Sequence, residues 1–91
     1  MIEVTQTRES DPFEFDVRVE EANGESRHRV TMSAQTLASL GRGAAAVDFV
    51  RAAFEFLLER EPKEAILSRF DVTVIGRYFP EFEQEIGNYL R

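Results

Sequence analysis

The first third of the chain alternates apolar and polar side chains, which is the period of a β-strand. Residues 13–20 (FEFDVRVE) keep this alternation without interruption, and residues 2–5 (IEVT) show it as well. The side chains that share the apolar face of the longer stretch are Phe13, Phe15, Val17 and Val19. Asp11-Pro12 is typical of a turn, so the pattern predicts two antiparallel strands joined by a loop at residues 8–12.

A hairpin turn is indicated at Asn23-Gly24, a pair typical of two-residue type I′ turns. With this pair at the centre of the turn, Ala22 lies opposite Glu25, and the register of a third strand follows by counting. The expected cross-strand pairs are Val19 with His28, Val17 with Val30, and Phe15 with Met32. This register brings the apolar faces of the two strands together, so it predicts a second antiparallel pairing.

The hydrophobic period changes to that of a helix at Ser33, which is a typical N-cap residue. A short helix over residues 34–40 is expected to end at Gly41, because glycine favours helix ends. A longer helix over residues 45–60 is expected to end before Pro62. The remaining predicted helices lie at residues 63–69, 71–79 and 81–90.

Residues 71–79 allow two interpretations. The alternation of Val72 and Val74 is typical of a strand, whereas Asp71 as an N-cap and the apolar i,i+4 spacing favour a helix. We favour the helix, because a lone strand at this position would need a partner that is distant in the sequence.

The predicted fold class is α+β, because strand patterns come first and helix patterns follow. A chain of 91 residues is expected to form a single domain, residues 1–91. Residues 1–32 are predicted to form a three-stranded antiparallel sheet in the order 1-2-3. Residues 33–91 are predicted to form three to five helices that pack on one face of the sheet.

The helix predicted at residues 45–60 is unusually apolar. Its hydrophobic side chains cover an arc of roughly 200° on a helical wheel, about twice the stripe of an ordinary surface helix. Phe49 and Phe56 lie beside the main stripe. Because three strands cannot cover such an arc, the helix must pack against the C-terminal helices, another chain, or both. We therefore predict a homodimer with Phe49 and Phe56 as candidate interface residues.

Composition and charge narrow the classes of function. The chain has 17 acidic residues against 11 Lys and Arg, a net charge of −6, which disfavours nucleic acid and anionic membranes as partners. No uncharged stretch is long enough to span a bilayer. The first six residues, MIEVTQ, lack the basic and apolar regions of a signal peptide, so a cytoplasmic location is expected.

The sequence offers few residues for catalysis or ligand binding. It has no cysteine, so disulfides within the chain, thiolate nucleophiles and Cys-based metal sites are excluded. His28 is the one histidine, and we interpret it as a structural, partly buried residue rather than a functional one. No phosphate-binding loop or nucleophile motif occurs. We predict no catalytic residue, no cofactor and no metal, and a protein that is not an enzyme.

Residues 77–82 (RYFPEF) form the most distinctive short motif, because three aromatic side chains flank a proline. Aromatic clusters of this kind can fill the end of a core, form an interface or bind a ligand. We favour the core or an interface, with a ligand site as the alternative.

Residues 56–64 (FLLEREPKE) together with residues 77–83 (RYFPEFE) resemble a family of small bacterial proteins of unassigned function. The resemblance extends over most of the chain. It implies a bacterial, cytosolic origin, but it implies no activity, ligand or catalytic residue.

Residues 27–32 (RHRVTM), followed by the short and the long helix, are similar in order to a ribbon–helix–helix unit. This resemblance implies dimerisation through strand pairing, with Arg27, Arg29 and Thr31 contacting DNA. The chain departs from the class because two further strands precede the ribbon. Residues 1–32 also hold only four arginines against eight acidic residues, too few cations for the usual phosphate contacts.

These observations favour a non-enzymatic, homodimeric protein-interaction or scaffold module of the bacterial cytosol. A partner protein other than a second copy is also possible. The first alternative is a DNA-binding regulator of the ribbon–helix–helix or antitoxin type. The second is a small-ligand binder or enzyme, which would require a pocket that places His28 or Arg77 beside an acid.

Overall fold

Four strands form one mixed sheet in the order β1-β2-β3-β4 in the computed structural model, which describes residues 1–90. The strands are β1 (Ile2–Arg8), β2 (Phe13–Glu21), β3 (Gly24–Met32) and β4 (Arg69–Asp71). The first three strands are antiparallel, as predicted, whereas β4 runs parallel to β3. The α+β class is confirmed, but the prediction of three antiparallel strands is wrong because a fourth strand comes from the part expected to be helical.

Strand β4 lies in the part of the chain that was expected to be helical, and its partner, β3, is distant in the sequence. It pairs with residues 29–31 of β3, and the amide of Arg29 donates a hydrogen bond of 2.8 Å to the carbonyl of Ser68. Only one of its three side chains, that of Phe70, is buried. Three residues contain too short a pattern to separate a strand from a helix.

The β2–β3 hairpin differs from its predicted register by two residues. The observed pairs are Val19 with Ser26, Val17 with His28, Phe15 with Val30, and Phe13 with Met32. Ala22 and Asn23 form the centre of the turn, and the positive φ of 131° is found at Gly24. A type I′ turn needs positive φ at both central residues, and neither Ala22 nor Asn23 has it. Because the shift is two residues, every side chain keeps its predicted face.

Helices cover the apolar face of the sheet. They are α1 (Ala34–Leu40), α2 (Ala46–Leu58), α3 (Ile75–Tyr78) and α4 (Phe82–Glu85), with 3₁₀ turns at Lys63–Ala65, Val72–Val74 and Ile86–Tyr89. The hydroxyl of Ser33 caps α1 by accepting a 3.0 Å hydrogen bond from the amide of Thr36. The prediction of a helix at residues 63–69 is wrong, because this segment forms only one 3₁₀ turn before β4 begins.

The centre of the core is α2, which is buried on both sides. Its buried residues are Phe49, Val50, Ala52, Ala53, Phe54, Phe56 and Leu57. The sheet covers one part of the apolar arc, and the aromatic side chains of the C-terminal helices cover the rest. The ring of Phe56 lies edge-on to Phe82 at 5.0 Å and to Tyr89 at 5.8 Å, centroid to centroid.

Phe49 and Phe56 are both 0% exposed within one chain. Neither ring is accessible on the surface, so the two residues cannot serve as anchors of a homodimer in this fold. The wide apolar arc was recognised correctly, but the chain fills it with its own C-terminal aromatic residues. The argument for self-association that rested on these side chains is therefore removed.

Arg60 fixes the C-terminal helices to the end of α2. Its guanidinium lies 3.6 Å from the centroid of the Phe56 ring and donates hydrogen bonds to Glu81 at 3.0 Å and to Glu85 at 2.8 Å. These carboxylates lie on one helix face, and Arg60 pairs with both. A cation held by two acids and an aromatic ring is a stable packing element.

The longest helix within residues 1–90 is α2, with 13 residues. No helix in this part of the chain combines the length and the apolar character that a membrane crossing needs.

Candidate functional site

An apolar groove of about 290 Å³ opens between the end of α2, the segment of residues 61–70, and α3. We call it the α2–α3 groove. Its walls include Leu57, Ile66, Leu67, Phe70, Tyr78 and Phe79. Among the described residues that line it, Glu61 is the only one that carries a charge.

Two exposed hydrophobic side chains lie on this groove. Leu67 is 47% exposed and Tyr78 is 67% exposed, and the third large exposed hydrophobic residue of the described chain is Met1. Single exposed hydrophobic residues are ordinary on protein surfaces, but clustered ones mark binding sites. The clustering of Leu67 and Tyr78 at one groove therefore singles it out as a candidate binding surface.

The position of Leu67 is fixed by the buried His28. The Nδ1–H group of His28 donates a 2.7 Å hydrogen bond to the carbonyl of Leu67, and Nε2 lies 2.8 Å from the hydroxyl oxygen of Ser26. The imidazole packs against the ring of Phe54 at 5.3 Å. The interpretation of His28 as a structural residue is supported, and its bond to Leu67 also supports the wall of the groove.

Tyr78 lies at the groove because the aromatic side chains of residues 77–82 point in different directions, some into the core and one to the surface. Phe82 is buried against α2, and Phe79 packs edge-on against Phe56 at 6.0 Å. Tyr78 ends α3 and points its side chain into the solvent at the groove. The motif thus contributes to the core, as predicted, and also supplies an accessible aromatic side chain.

Glu61 contributes the one carboxylate of the groove. Burial against the apolar walls raises the pKa of Glu61 above its ordinary value. Within residues 1–90, its carboxylate has no ion pair and no hydrogen-bond donor. It is therefore an acid in a partly apolar setting, and the described residues supply no group that compensates its charge.

Lys63 is a buried cation that sequence reasoning missed. Its Nζ donates hydrogen bonds to Asn23 at 2.9 Å and to Glu64 at 2.6 Å, and it lies 3.4 Å from Glu21. The hydrogen bond to Glu64 raises the pKa of Lys63 against the opposing effect of burial. Lys63 is thus held in its charged form and connects its segment to the hairpin turn. No local sequence pattern indicates this contact, because Asn23 is 40 residues away.

Arg27, Arg29 and Thr31 lie together on the outer, solvent-facing side of the sheet. Arg27 pairs with Glu25 at 2.8 Å, and Arg29 pairs with Asp16 at 3.2 Å. The hydroxyl of Thr31 donates a 2.6 Å hydrogen bond to Asp71. Each of the three side chains already has an acidic partner, so the face offers little free positive charge for phosphates.

The position of β3 also conflicts with the ribbon–helix–helix interpretation. That class needs this strand free to pair with a second copy, whereas β3 lies inside the sheet. Strand β2 pairs with its whole length, and β4 covers the other side at residues 29–31. The DNA-contacting role expected for Arg27, Arg29 and Thr31 therefore lacks the strand geometry on which the resemblance depends.

Metal binding gains no support from the side chains. Within residues 1–90, no group of three or more histidine or acidic side chains is arranged to hold a metal ion. Every buried side-chain nitrogen or oxygen of that part of the chain has a hydrogen-bond partner. The polar groups of the interior are therefore already used by the fold itself.

The chain matches no protein-family model, and neither a curated protein nor a solved structure is significantly similar to it. The resemblance to a small bacterial family stays a prediction.

Proposed function

We propose that this chain is a non-enzymatic protein-binding module and that the α2–α3 groove is its binding surface. The observation that carries the proposal is the joint exposure of Leu67 and Tyr78 at an apolar groove. Both positions are accessible in one copy of the chain, unlike Phe49 and Phe56.

The chemistry of the groove favours a protein partner. Tyrosine is enriched among the residues that contribute most to protein interfaces, because it combines a large apolar ring with a polar hydroxyl. Covering apolar surface is favourable by about 25 cal/mol per Å². A partner that covers the Leu67 and Tyr78 side chains gains this energy. The hydrophobic side chains of the core are already buried and offer a partner no such gain.

The groove is less suited to a small ligand or to catalysis. Small-ligand sites place several convergent polar groups around an apolar pocket, whereas this groove offers the single carboxylate of Glu61. General acid–base catalysis commonly uses two groups in hydrogen-bond reach of the substrate. A single carboxylate among apolar side chains supports binding over chemistry.

A random-peptide display library, selected on the full-length protein, tests the proposal. The double variant Leu67→Ser, Tyr78→Ser removes the exposed apolar groups, and Leu40→Ser, a partly exposed leucine outside this groove, is the matched control. We expect selected peptides to lose affinity about thirtyfold or more on the double variant and to keep it on the control. Equal binding to all three proteins, or no enrichment on the wild type, would contradict the proposal.

A further inference from the structure

We propose that the partner segment bound in the α2–α3 groove combines apolar side chains with a lysine or arginine that pairs with Glu61. This inference rests on the proposed function and adds the chemistry of the partner. It is carried by the position, among apolar walls, of one carboxylate that has no ion pair within the described part of the chain.

The cations nearest to Glu61 in the sequence are already used elsewhere. Arg60 points to the C-terminal helices, where it holds Glu81 and Glu85. Lys63 points to the hairpin turn, where it binds Asn23, and it also binds its neighbour Glu64. The chain therefore carries cations on both sides of Glu61 and directs each of them away from the groove.

A bound partner would remove more water from the Glu61 carboxylate. Burying an ionised carboxylate without a partner is costly, whereas a cation with good geometry offsets the loss of hydration. If the segment were entirely apolar, the Glu61 carboxylate would have to take up a proton, or the segment would bind with lower affinity. A segment with a lysine or arginine opposite Glu61 avoids this penalty, and an acidic residue at the same place would be rejected.

The net charge of the molecule also favours a basic partner. A charge of −6 favours the approach of a cationic partner and increases its association rate at low salt. Two copies of this chain would instead repel one another. The observations therefore favour a different protein with a basic and apolar segment over a second copy as the occupant.

The experiment compares three selections from one library of random 12-residue peptides, on the wild type, on Glu61→Gln and on the Leu67→Ser, Tyr78→Ser double variant. We expect peptides enriched on the wild type to carry apolar residues together with lysine or arginine. On Glu61→Gln the apolar residues should remain and the basic preference should disappear. The double variant should enrich neither.

A synthetic version of the best wild-type peptide then gives affinities by fluorescence anisotropy. We expect Glu61→Gln to weaken its binding about tenfold at low salt, because the pair is partly shielded from water. Glu83→Gln, which removes an exposed acid outside this groove, should leave the affinity unchanged. Raising the salt concentration should weaken the wild type more than Glu61→Gln.

The outcomes separate the two proposals. Two results would overturn the pairing with Glu61 and still leave the groove as a binding surface. The selected peptides could depend on Leu67 and Tyr78 but show no preference for basic residues, or they could bind Glu61→Gln as tightly as the wild type. Enrichment that is unaffected by the double variant would overturn the groove itself.

Discussion

Asp71 joins three parts of the molecule through its two carboxylate oxygens. It accepts a hydrogen bond from the hydroxyl of Thr31 on β3 at 2.6 Å. It also accepts bonds from the amide and hydroxyl of Thr73 at 3.0 and 2.7 Å, so that it caps the 3₁₀ turn after β4. Burial alone would raise the pKa of Asp71, but the hydrogen bonds from Thr31 and Thr73 outweigh it and lower the pKa.

We predict that Asp71→Ala lowers the free energy of unfolding by about 0.5–2 kcal/mol near neutral pH, the usual cost of losing a cap. The lowered pKa of Asp71 means that its contribution is present above the ordinary aspartate pKa of about 3.9 and is lost as the pH falls through the folded value. Urea unfolding at a series of pH values measures this. Wild type and variant should converge in acid, whereas a constant difference at all pH values would contradict the assignment.

Glu61 has the opposite pH dependence. Because folding raises the pKa of this carboxyl group, the folded state holds the proton more tightly, and stability declines as the pH rises from the ordinary glutamate value of about 4.3 through the folded value. We predict that Glu61→Gln raises the free energy of unfolding at pH 7 by up to about 0.5 kcal/mol, measured by urea unfolding. The gain should vanish below pH 4. A loss of stability at pH 7 would show that the carboxylate has a stabilising partner.

At the scale of helices and strands, α2 could be predicted because its 13 residues repeat the helical period several times. Strand β4 could not, since three residues hold less than two periods of a strand pattern. The hairpin register was wrong by two residues because the local rule placed Asn23-Gly24 at the centre of the turn, whereas Ala22 and Asn23 lie there. Asn23 accepts a hydrogen bond from Lys63, and that partner is invisible to a local turn rule.

The groove was predictable only in part, for the same reason. The motif at residues 77–82 pointed to an aromatic cluster, but the sequence could not say which ring stays exposed. That depends on how α3 and α4 pack on Phe56. Leu67 had no distinguishing pattern, because it lies in an irregular segment before β4 whose position depends on a hydrogen bond from the distant His28.

Substitution of Phe56 tests whether the apolar arc of α2 belongs to the core or to an interface. We predict that Phe56→Ala lowers the free energy of unfolding by about 3–5 kcal/mol, because it leaves a cavity beneath three aromatic rings. The loss should be the same at low and high protein concentration. The milder Phe56→Leu should cost less. A stable Phe56→Ala protein that merely changes its oligomeric state would contradict the core assignment.

At the scale of the whole molecule, the fold has two layers and one open face. The helices cover the apolar side of the sheet, and the outer side carries paired charges such as Arg29 with Asp16 and Arg18 with Glu3. These exposed pairs contribute little stability individually. They do keep the outer face hydrated, so the exposed apolar side chains Leu67 and Tyr78 stand out at the α2–α3 groove.

The oligomeric state decides between the possible occupants of that groove. We expect sedimentation equilibrium at about tens of micromolar to give a species of 10.4 kDa, because Phe49 and Phe56 are enclosed and two copies of a chain with charge −6 repel one another. A dimer that dissociates in the Tyr78→Ser variant would place a second copy in the groove. A dimer that persists in this variant would point to β1, which pairs only with β2 and leaves its other edge open within the described chain.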